Sequence, residues 1–201
     1  MALNFANNNS LSAITTKPSG LSGGAMNLIS TQTASSSSTI SFTSGIDDTY
    51  DEYVFKFYDI HPATNNVQFS FNGSVDGGSN YNVTKTTTNF GAYHFEDDSA
   101  AALGYESGKD LAQSTDFQKL SSQSTGNAND EANAGTLHLF NPSSTVFVKH
   151  FISRMNTAGP AYPSDGLVAG YFNTTSAIDA IQFKFSSGNI DSGVIKLYGV
   201  S

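Results

Sequence analysis

Three carboxylate clusters are the first place to look for chemistry in this chain: Asp47-Asp48 with Asp51-Glu52, Glu96-Asp97-Asp98, and Asp130-Glu131. Paired carboxylates can serve as acid and base across a glycosidic bond, provided burial raises the pKa of one of them. All three clusters sit among turn-forming residues, where water keeps carboxyl groups ionised. The same loops offer hard oxygen donors, Asn127, Asn129 and Glu131 among them, which suit calcium better than catalysis. Their spacing matches no helix-loop-helix calcium site, and a solvated loop is the preferred reading. No cofactor is expected.

The four histidines are His61, His94, His138 and His150, and none belongs to a closely spaced ligand pair. His138 and His150 fall on separate candidate strands, so a shared metal can be imagined. Strand histidines facing a polar surface are the simpler account and are preferred. Gly20-Leu21-Ser22-Gly23-Gly24 satisfies Gly-X-Ser-X-Gly, but the nucleophile elbow needs a strand before the serine and a helix after it. Here Thr-Thr-Lys-Pro-Ser precedes and a candidate strand follows, which disfavours a hydrolase. Gly104 to Asp110 resembles a phosphate loop, yet it is one residue short and carries Asp110 where a metal-binding hydroxyl belongs. No catalytic residue is nominated, and the chain reads as a non-enzyme.

Binding is easier to imagine. Tyr93, Tyr105, Tyr162 and Tyr171 lie near loops rich in Asn, Asp and Gly, the mixture that binds sugars on the rims of β-sandwiches. Tyrosines also line subunit contacts, where an apolar ring with a polar tip is useful. The binding candidates are Tyr93, Tyr105, Asp97, Asp98, Asn129 and Asp130, with glycan as one ligand class.

These residues must be positioned by strands. Ile181, Phe183 and Phe185 alternate with Gln182 and Lys184, and Val194, Ile195 and Leu197 flank Lys196 beyond a Gly- and Asn-rich stretch at 186–193. Period-two alternation puts one side of each run in a core, and the pair reads as a closing hairpin with a long loop. Similar runs occur at YVFKFYDI, VQFSFNGS, TLHLF, VFVKHFISRM and LVAGYF. NVTKTTTNFGAYHFE reads as one strand bent at Gly91. DDSAAALGY reads as a turn or two of helix. The rest of 96–134 is the least regular part, with one short strand around Phe117 to Leu120.

The total is about ten strands and at most one short helix, with turn signals spaced as in a sandwich or barrel. The fold class expected is all-β: a two-sheet sandwich of jelly-roll type over 26–201, preceded by an extended arm at 1–25. That arm is either ordered by contact with something else or a floppy leader. With 15 Phe and no Trp, phenylalanine is expected to fill the space between the sheets.

Bulk numbers narrow the partners. Charged residues make up 13% of the 201, and the net charge is -8. Such a surface does not neutralise phosphates, so neither nucleic acid nor an anionic membrane is expected as a partner. No apolar stretch approaches the roughly 20 residues of a membrane span, and the N-terminus does not read as a signal peptide. The triplets at Asn72, Asn82 and Asn173 read as ordinary turn and strand residues, not glycan acceptors.

Several strings carry a resemblance: NNNSLSAITTKPSG, LISTQTASSSSTISFTSGIDDTYDEYVFKFYDIHPAT, YNVTKTTT, LHLFNPSSTVFVKHF and AGYFNTTSAIDAIQFKFSSGNIDSGVIKLYG. They resemble structural proteins of marine tailed phages, including those of cyanobacteria and other abundant ocean bacteria. The resemblance implies a virion component with capsid or tail proteins as partners, and names no catalytic residue. A capsid decoration (cement) protein is the favoured form, with a tail or fibre component, a glycan-binding module and, least favoured, a polysaccharide hydrolase as alternatives. An arm that docks by strand addition and a homo-oligomer, a trimer above all, fit this picture.

Overall fold

The computed structural model describes residues 25–201. The expected arm, Ala25 apart, lies outside the described residues. In chain order the strands are β1 (Met26–Ser37), β2 (Ile40–Phe42), β3 (Glu52–Pro62), β4 (Phe69–Ser74), β5 (Lys85–His94), β6 (Ala101–Tyr105), β7 (Gln118–Lys119), β8 (Ala132–Phe140), β9 (Lys149–Gly159), β10 (Tyr162–Phe172), β11 (Ala180–Phe185) and β12 (Ile190–Val200). They form two antiparallel sheets, one of eight strands in the order β1-β12-β3-β8-β9-β10-β5-β6 and one of four in the order β2-β11-β4-β7. The all-β, two-sheet expectation holds.

The closing hairpin does not form. β11 pairs with β2 and β4 in the small sheet, whereas β12 pairs with β1 and β3 in the large one. The two runs face each other through the core: Phe183 and Phe185 from one layer, Ile195 and Leu197 from the other, all buried. A face-to-face pair and a hairpin share the same period, so alternation alone does not separate them. The neighbouring strands make the same crossing. β1 beside β12 continues into β2 beside β11, and β3 beside β12 continues into β4 beside β11. Three chain segments therefore fold over one corner and couple the layers.

Phenylalanine fills that corner as expected. Phe183 is the hub, with ring centroids 5.2 Å from Phe55 and Phe57, 5.8 Å from Phe69, 6.2 Å from Phe42 and 6.4 Å from Phe71. Most of these contacts are edge-to-face, the arrangement that aligns a positive ring edge with a negative ring face.

The far half of the large sheet is covered differently. Beneath β9, β10 and β5 lies the irregular segment 106–131, pinned by buried polar side chains. Asn72 donates to Tyr81 O and Thr115 O, both at 2.8 Å. Gln118 donates to Lys109 O at 2.9 Å and accepts from the Thr87 hydroxyl at 2.6 Å. Asn133, Thr125 and Thr157 close a buried network of 2.7–3.0 Å bonds. Buried polar groups are tolerable when paired in this way.

Two further expectations are corrected. The helix expected in 97–105 is strand β6, paired with β5 from His94↔Ala101 to Phe90↔Tyr105. Three alanines are too few to nucleate a helix. A tight turn, in which Phe95 N donates to Ala100 O at 2.9 Å and Asp98 adopts φ 60°, delivers them to the open edge of β5 instead. At Gly91 the β5–β10 ladder runs through without a break, Gly91 facing Gly166. The missing side chain serves a close approach: a Cβ there would lie 2.6 Å from Ser122 Cβ.

Candidate functional site

The sequence-nominated residues separate into three places. Tyr93 stands edge-on to Phe95 at 5.6 Å, and Phe95 stands edge-on to Tyr162 at the same distance. Asp98 contacts His94 Nε2 at 3.0 Å, and Asp97 accepts from the Ser99 amide at 3.0 Å; hydrogen bonding by the Ser99 side chain and then its amide lowers the pKa of Asp97. His94, Glu96, Asp130, Asn156 and Tyr162 line one cleft of about 480 Å³ at this end of the sandwich. Tyr93, Asp98 and Asp130 are thus brought to one neighbourhood. Asn129 instead lines an adjoining cleft of about 270 Å³ with Asp59, His61 and Asp191. Tyr105 lies elsewhere, on the outer face of the large sheet, where its hydroxyl donates to Asp110 at 2.6 Å.

Of the clustered acids Glu131 is buried, against the expectation of wet carboxylates, and its Oε2 accepts from Ala128 N at 2.9 Å. Asp97 and Asp98 are exposed, as is Asp130. Among the described residues no three His, Asp or Glu side chains come close enough together to hold a metal ion. His138 does not meet His150. Its cross-strand neighbour is Ile152, and its Nδ1 lies 2.6 Å from Glu52. Asn72, one of the acceptor-like triplets, is fully buried and occupied with backbone carbonyls.

A larger feature lies on the outward face of β9, β10, β5 and β6. Strand alternation sends Phe151, Met155, Val168 and Phe172 inward and leaves Ile152, Leu167, Phe90, Leu103 and Tyr105 outward, with exposures from 44% to 80%. The Phe90 and Tyr105 rings meet edge-to-face at 5.3 Å. Shallow recesses mark the face, among them two that are mainly apolar. One of about 490 Å³ is lined by Phe140, His150, Ile152, Ala169 and Tyr171. The other, of about 250 Å³, is lined by Phe90, Leu103 and Leu167. The second also touches Arg154 and Asp165, which pair in a fork: Nε donates to the carboxylate at 3.0 Å and Nη2 at 2.7 Å. That carboxylate raises the pKa of Arg154 further. They are the formally charged residues on the outward positions of these four strands.

At one rim of the face the loop between β8 and β9 presents Val146 and Phe147, 68% and 69% exposed. The sequence placed these two inside a strand, but β9 begins only at Lys149. The Ser144 hydroxyl accepts from both amides, at 3.2 and 3.1 Å, and Lys149 Nζ donates to Phe147 O at 2.9 Å, so the tip is held in one shape.

Sequence reasoning passed over this face. A signal was present: LVAGYF and HFISRM carry apolar residues at successive positions, which marks a strand apolar on both sides. No family model matches the chain, and no curated protein and no solved structure does either.

Proposed function

We propose that the chain is a structural protein of a tailed-phage virion that acts by binding, most simply as a decoration protein on the capsid surface, and that it catalyses no reaction. In this reading the sandwich is jelly-roll-like, and its partners are capsid or tail proteins. The observation that carries the proposal is the outward face of β9, β10, β5 and β6. Contiguous exposed apolar surface of this kind is characteristic of protein contacts, and its recesses are too shallow and too poor in converging ionisable groups to favour catalysis. Both borders of the large sheet, β1 and β6, are edge strands, which adds a route for strand addition by neighbours. The resemblance of the quoted strings to marine phage proteins points the same way. Cryo-EM and antibody labelling of purified virions test it. Density on the head lattice is the expected result, density on the tail selects the tail component, and absence from particles overturns the proposal.

One specific observation favours a second reading, glycan binding. The cleft beside Tyr162 combines an aromatic ring with Glu96, Asp130, His94 and Asn156, an acceptor-rich mixture suited to sugar hydroxyls. A glycan array probed with and without calcium tests it, and a blank array under both conditions removes it.

A further inference from the structure

We propose that the outward face of β9, β10, β5 and β6 binds the same face of a second copy of this chain about a two-fold axis. Three properties of the face select that occupant.

The first is charge. The chain carries a net charge of -8, so two copies repel wherever their acids meet. On the outward positions of these strands the formal charges are one cation and one anion, Arg154 and Asp165, already paired at 2.7 Å, and Asp110 at the edge accepts from the Tyr105 hydroxyl at 2.6 Å. The patch carries little net charge within an acidic molecule, so two identical copies meet there with little repulsion. A two-fold axis also presents Arg154 of each copy to Asp165 of the other, so a face bearing one charge of each sign is complementary to itself.

The second is area. The exposed parts of Phe90, Leu103, Tyr105, Ile152 and Leu167 amount to roughly 500 Å² of mainly apolar surface, taking ordinary side-chain areas. The second recess is walled by these same side chains, and the first adds Phe140, Ala169 and Tyr171, which puts the face at the small end of specific interfaces, below the ~800 Å² per partner of the standard size.

The third is rigidity. The face belongs to consecutively paired strands whose ladders have no register break between β9, β10, β5 and β6, so little ordering is needed on association. The symmetry differs from the three-fold order expected from the sequence, and a dimer through this face leaves the β1 edge and the Val146–Phe147 tip for capsid or tail partners.

Light scattering of the full chain across a concentration series tests it. The expected mass is twice 21.2 kDa. Leu167→Asp, at a half-exposed position, is expected to weaken association by at least about 100-fold with an unchanged far-ultraviolet spectrum. Arg154→Asp and Asp165→Arg alone are each expected to weaken it by about 10-fold, and the two together to restore it. A monomeric or three-fold mass for the native chain, or a dimer indifferent to both Leu167→Asp and the single charge reversals, overturns the proposal. Should Leu167→Asp lose its native spectrum, the charge-reversal set decides alone.

Discussion

Lys85 and Lys149 occupy one rung of the eight-stranded sheet, on opposite sides of Phe172, and both are fully buried. Among the described residues neither ammonium is paired with a carboxylate oxygen at hydrogen-bond distance. Lys85 Nζ donates to Val83 O at 3.0 Å and Asp116 O at 2.6 Å, and Lys149 Nζ to Phe147 O at 2.9 Å and Thr174 O at 3.1 Å. The two side chains act as internal clamps that tie loops 111–117 and 141–148 to the sheet.

The cost of that arrangement is readable as pH dependence. Burial pushes the pKa of Lys85 from 10.5 down to about 7, and the nearby Asp116 offsets this only in part. Between those values the unfolded chain binds more protons than the folded one, so this group makes stability rise with pH. Below about 7 both states are protonated and the slope vanishes. Urea midpoints measured between pH 7 and 9 should rise for the native chain. Lys85→Met should flatten that rise, and an unaltered slope would show that Lys85 does not titrate in this window.

The Phe183 hub predicts a large truncation cost. Phe183→Ala removes a ring in contact with five others and should destabilise by about 3–5 kcal/mol. Phe183→Leu should cost clearly less. Chemical denaturation measures both, and equal losses would argue against the ring contacts as the source.

Gly91 predicts a rescue. A Cβ at Gly91 lies 2.6 Å from Ser122 Cβ, so Gly91→Ala should cost about 1–3 kcal/mol by overpacking. Adding Ser122→Gly should recover much of that loss. The coupling follows from a double-mutant cycle, and additive losses would mean that the two sites do not touch.

Asp76 predicts a titration readable at one residue. Its carboxylate accepts from Ser74 Oγ at 2.7 Å, Asn80 N at 2.9 Å and Asn80 Nδ2 at 2.7 Å, and these bonds lower its pKa to about 2. The stabilisation is complete above the ordinary value of 3.8 and is lost as pH falls through about 2. Carboxyl NMR should report the low value, and Asn80→Ala, which removes the Nδ2 bond but keeps the backbone amide and Ser74 bonds, should raise it part of the way toward normal.

Alternation made the strands legible: YVFKFYDI, VQFSFNGS and AIQFKF bury the residues their period assigns to the core. It did not reveal which sheet a strand joins, because β11 against β12 is the same pattern whether the two lie side by side or face to face. Segment 96–134 was opaque for a different reason. Its order comes from Asn72, Lys85 and Gln118, which donate to backbone carbonyls, and from Thr87, which donates to Gln118 Oε1 and accepts from the Leu111 amide, partners that carry no sequence mark. Of the nominated binding residues, loop position was right for Asp97, Asp98, Asn129 and Asp130, and their shared turn-rich composition explains why. The outward apolar face was missed because apolar residues were assigned to the core by default, although β10 has apolar residues on both sides.

β12 is the last strand of the chain, yet it lies between β1 and β3, with Met26 opposite Val200 and Tyr198 beside Val54. During synthesis β1 and the facing edge of β3 therefore lack this partner until β12 has been made. Closure of the large sheet thus joins the two ends of the described residues, so it should be slow, and a product without the eleven-residue β12 would leave β1 and one edge of β3 bare, a substrate for chaperones and proteases.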